Sequence, residues 1–236
     1  MFLDTKKEKI FAAATGVVML LAIWMVFFYL QEMKSGSGEV LDSSFRIFYF
    51  HLPIAFTSYL AFFIVFIASI FQLKQSSRKW DMIALSSAEV GVVFAFLVLV
   101  TGSIWAKATW GWYWIWDTRL TTSLVLLLVY LAYLMLRQAI EEPEKRARLA
   151  AVFGIVGFVS VPLSFFSVRL WRSAHPLMFG GSAYGSSGGG LEGTTLQLTL
   201  LINFVAFIML FVTMLSYRIN NEKMKETIED MQSSRY

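Results

Sequence analysis

Long apolar runs separated by short polar interruptions organise the whole of this chain. Six of them are long enough to cross a bilayer: Ile10–Leu30, Leu52–Leu73, Ile83–Ile104, Leu120–Leu136, Leu149–Val168 and Leu196–Tyr217. A hydrocarbon core about 30 Å thick takes roughly 20 helical residues at 1.5 Å each. Only Glu89 brings an ionisable side chain into any of the six. The pattern predicts an all-α integral membrane protein, a single six-span domain over residues 1–236 with no room for a separate soluble domain. Composition agrees: 57% of residues are hydrophobic and 15% charged, against about 25% charged in soluble domains.

The first run follows Lys6, Lys7 and Lys9 and so resembles a signal peptide. It is longer than the roughly 7–15 residues of a signal's apolar region, which makes it a retained anchor. Orientation follows from Lys and Arg near the span ends. Fourteen of the 20 fall on the side of both termini and of loops 74–82 and 137–148. Six fall on the other side: Lys34, Arg46, Lys107, Arg119, Arg169 and Arg172. Both termini are therefore expected in the cytoplasm, facing solvent with the short charged loops. The net charge of +4 expresses this bias; membrane lipid is implied as a neighbour and nucleic acid is not.

With no cysteine, the chain cannot run thiol–disulfide chemistry, hold an iron–sulfur cluster or attach haem through Cys-x-x-Cys-His. The outer loops carry the unusual residues. Five of the eight tryptophans, Trp105, Trp110, Trp112, Trp114 and Trp116, crowd the 105–121 segment between spans 3 and 4. Interfacial anchoring uses scattered tryptophans, whereas this density suits a platform for a large flat ligand. Extended backbone would put Trp110, Trp112, Trp114 and Trp116 on one face; a helix would pair residues four apart. Asp117 is placed to cap the fourth span. Arg119, in its first turn, opposes the helix dipole unless an anion offsets it, either Asp117 or a ligand carboxylate.

Both histidines, His51 and His175, fall at the outer side, each just before a proline or a Leu-Pro pair. Taken singly each reads as an interfacial hydrogen-bonding residue. Flanking an aromatic platform, the two imidazoles suit iron in a porphyrin. Glu89 is costly inside a span and therefore a functional candidate, with Ser86 one turn earlier as a possible hydrogen-bond partner. The stretch Gly180–Gly193 of the last outer loop reads as a flexible linker or a lid.

The run Trp110-Gly111-Trp112-Tyr113-Trp114-Ile115-Trp116-Asp117-Thr118-Arg119-Leu120-Thr121 resembles the tryptophan-rich "WWD" signature of the haem-handling proteins of cytochrome c maturation. Six spans and one histidine on each side of the signature make the chain similar to the haem exporter protein C (CcmC) family over nearly its whole length. The resemblance implies no enzyme but a carrier of haem b (iron protoporphyrin IX) with axial bis-His ligation by His51 and His175. It implies a platform of Trp110, Trp114 and Trp116, with Asp117 and Arg119 beside it. Tyr113 stands where relatives carry Trp, and Trp112 where a smaller residue is usual, so Trp112 joins the platform as a substitute ring. The implied setting is the inner membrane with the working loops periplasmic. The implied partners are an extracytoplasmic haem chaperone (CcmE-like), a small single-span subunit (CcmD-like) and an ABC transporter pair (CcmA/CcmB-like). The competing reading is a membrane transporter or ABC-type permease for another small molecule, which Pro162 and Glu89 hint at. A cytochrome b type redox subunit is disfavoured, because its histidines would lie within the spans on both sides.

Overall fold

The computed structural model describes residues 5–30, 42–175 and 194–233. Its elements are α1 (Thr5–Trp24), ending in a π-helical turn at Met25–Tyr29; a 3-10 turn at Ser43–Ile47 that runs into α2 (Phe48–Gln75); α3 (Arg78–Trp110); α4 (Thr118–Ala139); α5 (Pro143–Gly157); α6 (Ser160–Leu170); and α7 (Thr194–Ser233). They make six helical units long and apolar enough to cross a membrane, the fifth being α5 and α6 together. Contact between Asn220 and Glu8 brings the two ends of the chain to the same end of the bundle. The Gly180–Gly193 stretch lies outside the described residues.

Helices run beyond the apolar stretches that predict them, because polar residues continue a helix once its apolar part is nucleated and packed. The most consequential overrun is α3. Its 33 residues amount to about 50 Å, and they carry Trp105 and Trp110 on a rigid helix instead of a loop. The helix stops at Gly111, whose φ of 78° is the left-handed conformation of a helix C-cap. Only residues 111–117 of the tryptophan segment are non-helical. His51 likewise lies inside α2, not in the preceding loop.

The fifth span breaks where the sequence demands it. Pro162 has no N–H and its ring conflicts with the carbonyl four residues earlier, so α5 ends at Gly157 and α6 restarts at Ser160. The Ser160 hydroxyl donates to the freed Gly157 carbonyl at 2.6 Å. At the end of the bundle opposite the termini, Arg46 closes the turn that ends the first span, donating to the carbonyls of Val26 and Leu30. Those carbonyls would otherwise be unpaired at a helix terminus.

Several basic residues expected in solvated loops are structural. Arg137 sits in the last turn of α4 and grips Asp81 of α3 with two hydrogen bonds, 2.6 and 2.8 Å, both side chains buried. Arg78 pairs with Glu226, and Arg218 with Glu89 and Glu222, fastening the polar end of α7 to α3. Glu89 is therefore neutralised by Arg218 (2.9 Å) and not by Ser86, whose buried hydroxyl has no partner among the described residues. The reason is reach: a guanidinium one helix away offers charge as well as hydrogen bonds.

Candidate functional site

Four elements meet at the end of the bundle opposite the termini: the first turn of α2, the last turns of α3, the first turn of α4 and the segment after α6. His51 comes from α2 and is 7% exposed. Its Nδ1 lies 2.8 Å from the Thr101 hydroxyl of α3. That hydroxyl sits 2.7 Å from the Leu97 carbonyl one turn below, which takes its only proton. Thr101 must then accept from His51, so Nδ1 carries the ring proton and Nε2 keeps its lone pair. Gly102 makes the space: a Cβ there would lie 3.2 Å from His51 Cε1.

His175 follows α6 on irregular backbone, and its ring centroid is 6.3 Å from that of His51, with the planes tilted by 38°. Trp105, 8% exposed, touches both: its ring is 6.2 Å from His51 and stands edge-on to His175 at 6.4 Å. A metal bridging two imidazoles through bonds of about 2.0 Å would place the ring centroids roughly 6 Å apart. Among the described residues no group of three or more His, Cys, Asp or Glu could hold a bare ion. Two imidazoles are what an iron already held by a porphyrin still needs.

Asp117 performs the capping role that its position predicts, and more. Oδ1 accepts from the Arg119 N–H and from the Ser173 hydroxyl, each at 2.8 Å, and Oδ2 accepts from the Ala174 N–H at 2.8 Å. Ser173 Oγ in turn accepts the His175 N–H at 3.1 Å. The Arg119 guanidinium turns elsewhere, donating to the Ser164 carbonyl of α6 and lying 5.9 Å over the Tyr59 ring. Ser123, Ser164 and Tyr59 complete a hydroxyl cluster beneath it. Asp117 and Arg119 thus share a turn without pairing their side chains.

A cavity of about 40 Å³ lies among His51, His175, Trp105, Trp110, Trp114 and Arg119. It has room for a water or two; a ligand the size of a porphyrin would have to part its walls. Trp114 Nε1 is buried beside it with no partner among the described residues, an indole donor open to a ligand. Trp112 and Trp116 do not line this cavity; they are 67% and 78% exposed, although Trp116 rests edge-on against Trp114 at 5.6 Å. The predicted site residues His51, His175, Trp110, Trp114 and Arg119 are therefore brought together, and Asp117 stands directly behind them. Sequence reasoning left Trp105, Thr101 and Gly102 out of the set. Their signal was the i, i+4 spacing of Thr101 and Trp105, visible once α3 is known to continue past Ile104.

Residues 2–234 match the family model described as heme exporter protein C. The chain is 32% identical to heme exporter protein C of Bradyrhizobium diazoefficiens, the match covering 94% of this chain and 80% of that one. It is 30% identical to the Haemophilus influenzae protein of that name, covering 94% and 86%. The Escherichia coli K12 protein of that name matches at 32%, covering 69% and 65%. The chain belongs to the heme exporter protein C family.

Proposed function

We propose that this chain is a haem carrier of cytochrome c maturation, binding haem b between His51 and His175 at the outer face of the inner membrane. The observation that carries the reading is the pair of imidazoles 6.3 Å apart, one with its free nitrogen dictated by Thr101. When bound, the iron supplies the two axial positions that neutral imidazoles fill. Trp105, Trp110 and Trp114 offer ring faces and edges to the porphyrin, with Trp112 and Trp116 forming an outer rim. Arg119 stands where a propionate can replace the Ser164 carbonyl as its partner, a charge-assisted exchange that favours the anion. Both termini are cytoplasmic in this reading. Haem passes from here to an extracytoplasmic chaperone, beside a single-span subunit and an ABC transporter pair, and the chain itself performs no covalent catalysis.

The test is an absorption spectrum of protein purified from haem-replete cells. A low-spin, six-coordinate spectrum in the wild type, replaced by a five-coordinate or water-ligated one in His51→Ala and in His175→Ala, is expected. A wild-type-like low-spin spectrum in either variant overturns the ligand assignment. A colourless wild type would favour the permease reading, for which the helix break before Pro162 is the supporting observation.

A further inference from the structure

The two histidines are anchored in different ways. His51 is built into the first turn of a 28-residue helix, its ring held by Thr101 and laid against Gly102 of α3. Moving it means unwinding helix and opening a packed helix pair. His175 lies beyond the end of α6, after Trp171 has turned the backbone to an extended φ of −129°. Its place is set through the chain of hydrogen bonds Asp117–Ser173–His175 and by the second Asp117 oxygen on the Ala174 N–H. Irregular backbone tied by a few side-chain hydrogen bonds opens at lower cost than a packed helix.

We propose that Asp117 is the positioning residue of His175, and that this tether makes His175 the iron ligand exchanged when haem changes hands, while His51 stays bound. The inference rests on the bis-histidine reading above. In the exchange the iron–His175 bond breaks as a donor atom of the acceptor forms its own bond to iron. Both donors contribute a lone pair and the metal keeps its electrons, so no oxidant, reductant or proton source is required. The arrangement also links the two ends of the ligand. Asp117 caps the turn that carries Arg119, so the residue that holds His175 also fixes the backbone of the cation that would face a propionate.

The experiment uses purified holoprotein and the rate at which carbon monoxide replaces one axial ligand of the reduced haem. Asp117→Asn keeps an oxygen for the Arg119 N–H and the Ser173 hydroxyl but turns an amide donor toward the Ala174 N–H. It should raise the rate about tenfold, the lower end of what losing an outer-shell partner of a metal ligand does. In His175→Gly protein supplied with imidazole, the same Asp117→Asn change should add nothing, because the exchanging ligand is no longer tethered. Should Asp117→Asn fail to fold, Ser173→Ala removes the Ser173 arm of the tether and leaves the α4 cap and the Ala174 contact in place, and a smaller increase is expected of it. Equal acceleration in the His175→Gly background, or none in the wild-type background, overturns the proposal while leaving bis-histidine ligation standing. A wild type without low-spin haem overturns both.

Discussion

The hydroxyl of Thr101, on one helix, decides which nitrogen of His51, on another, carries the proton. At 2.8 Å from Nδ1, and with its own proton given to the Leu97 carbonyl, it can only accept. The imidazole is thereby presented with Nε2 bare, the form in which histidine binds a metal.

Thr101→Val keeps the shape and removes the acceptor. Haem affinity, measured by titrating apoprotein in lipid nanodiscs, should fall about 10-fold or more, the usual effect of deleting such a partner. Thr101→Ser should restore most of it. Equal affinity in Thr101→Val and wild type would mean that another group orients His51.

The cavity ranks the tryptophans. Replacing Trp110 and Trp114 by Ala should weaken haem retention more than replacing Trp112 and Trp116, because only the first pair lines the cleft. At about 1 kcal/mol for each stacked ring, the gap in dissociation constant approaches 30-fold. Matched haem occupancy in the two double variants at equal expression would reduce the cluster to an interfacial anchor.

Arg119→Lys keeps a charge but loses the planar fork that spans a carboxylate. It should bind haem less well than wild type and better than Arg119→Gln. A dimethyl-ester porphyrin, which lacks the carboxylates, should bind all three proteins alike. An undiminished preference for the free acid in Arg119→Gln would remove Arg119 from the site.

Asp81 and Arg137 form a buried, doubly hydrogen-bonded pair between α3 and α4. Asp81→Asn strands the guanidinium and should cost about 3–5 kcal/mol, seen as a lowered thermal midpoint in detergent. Replacing both by Leu and Met should recover much of the loss. A single variant as stable as wild type would show that water reaches the pair.

The six spans were legible because a bilayer imposes a length and an apolarity that no other setting requires. The histidines and the Trp110–Arg119 segment were legible because those residue types are conspicuous against an apolar background. Thr101, and the contact of Trp105 with both histidines, were hidden by the helix end: hydropathy fades at Ile104, whereas α3 carries on to Gly111. Asp117 looked like a cap, and it is one; its hold on Ser173 and Ala174 joins positions 56 and 57 residues away, a relation that no local pattern encodes. Arg137 and Arg218 read as topology signals because sequence shows charge and not the carboxylate facing it across a helix boundary.

In α3, Asp81 and Thr101 stand on one unbroken helix, separated by about 30 Å of axial rise, the thickness of the hydrocarbon core. The helix therefore works as a shaft, clamped in rotation at one end by Arg137 and aiming Thr101, Gly102 and Trp105 at His51 from the other. A single residue inserted into its middle would leave every span apolar and both histidines in place along the sequence. It would also turn the far end by about 100° and advance it 1.5 Å, carrying the tryptophan face off the cleft. The exposed mid-membrane positions of α3, such as Val93 and Phe96, should tolerate apolar substitution, whereas Gly91, packed against Phe62, should not, and a change of length should be tolerated hardly at all.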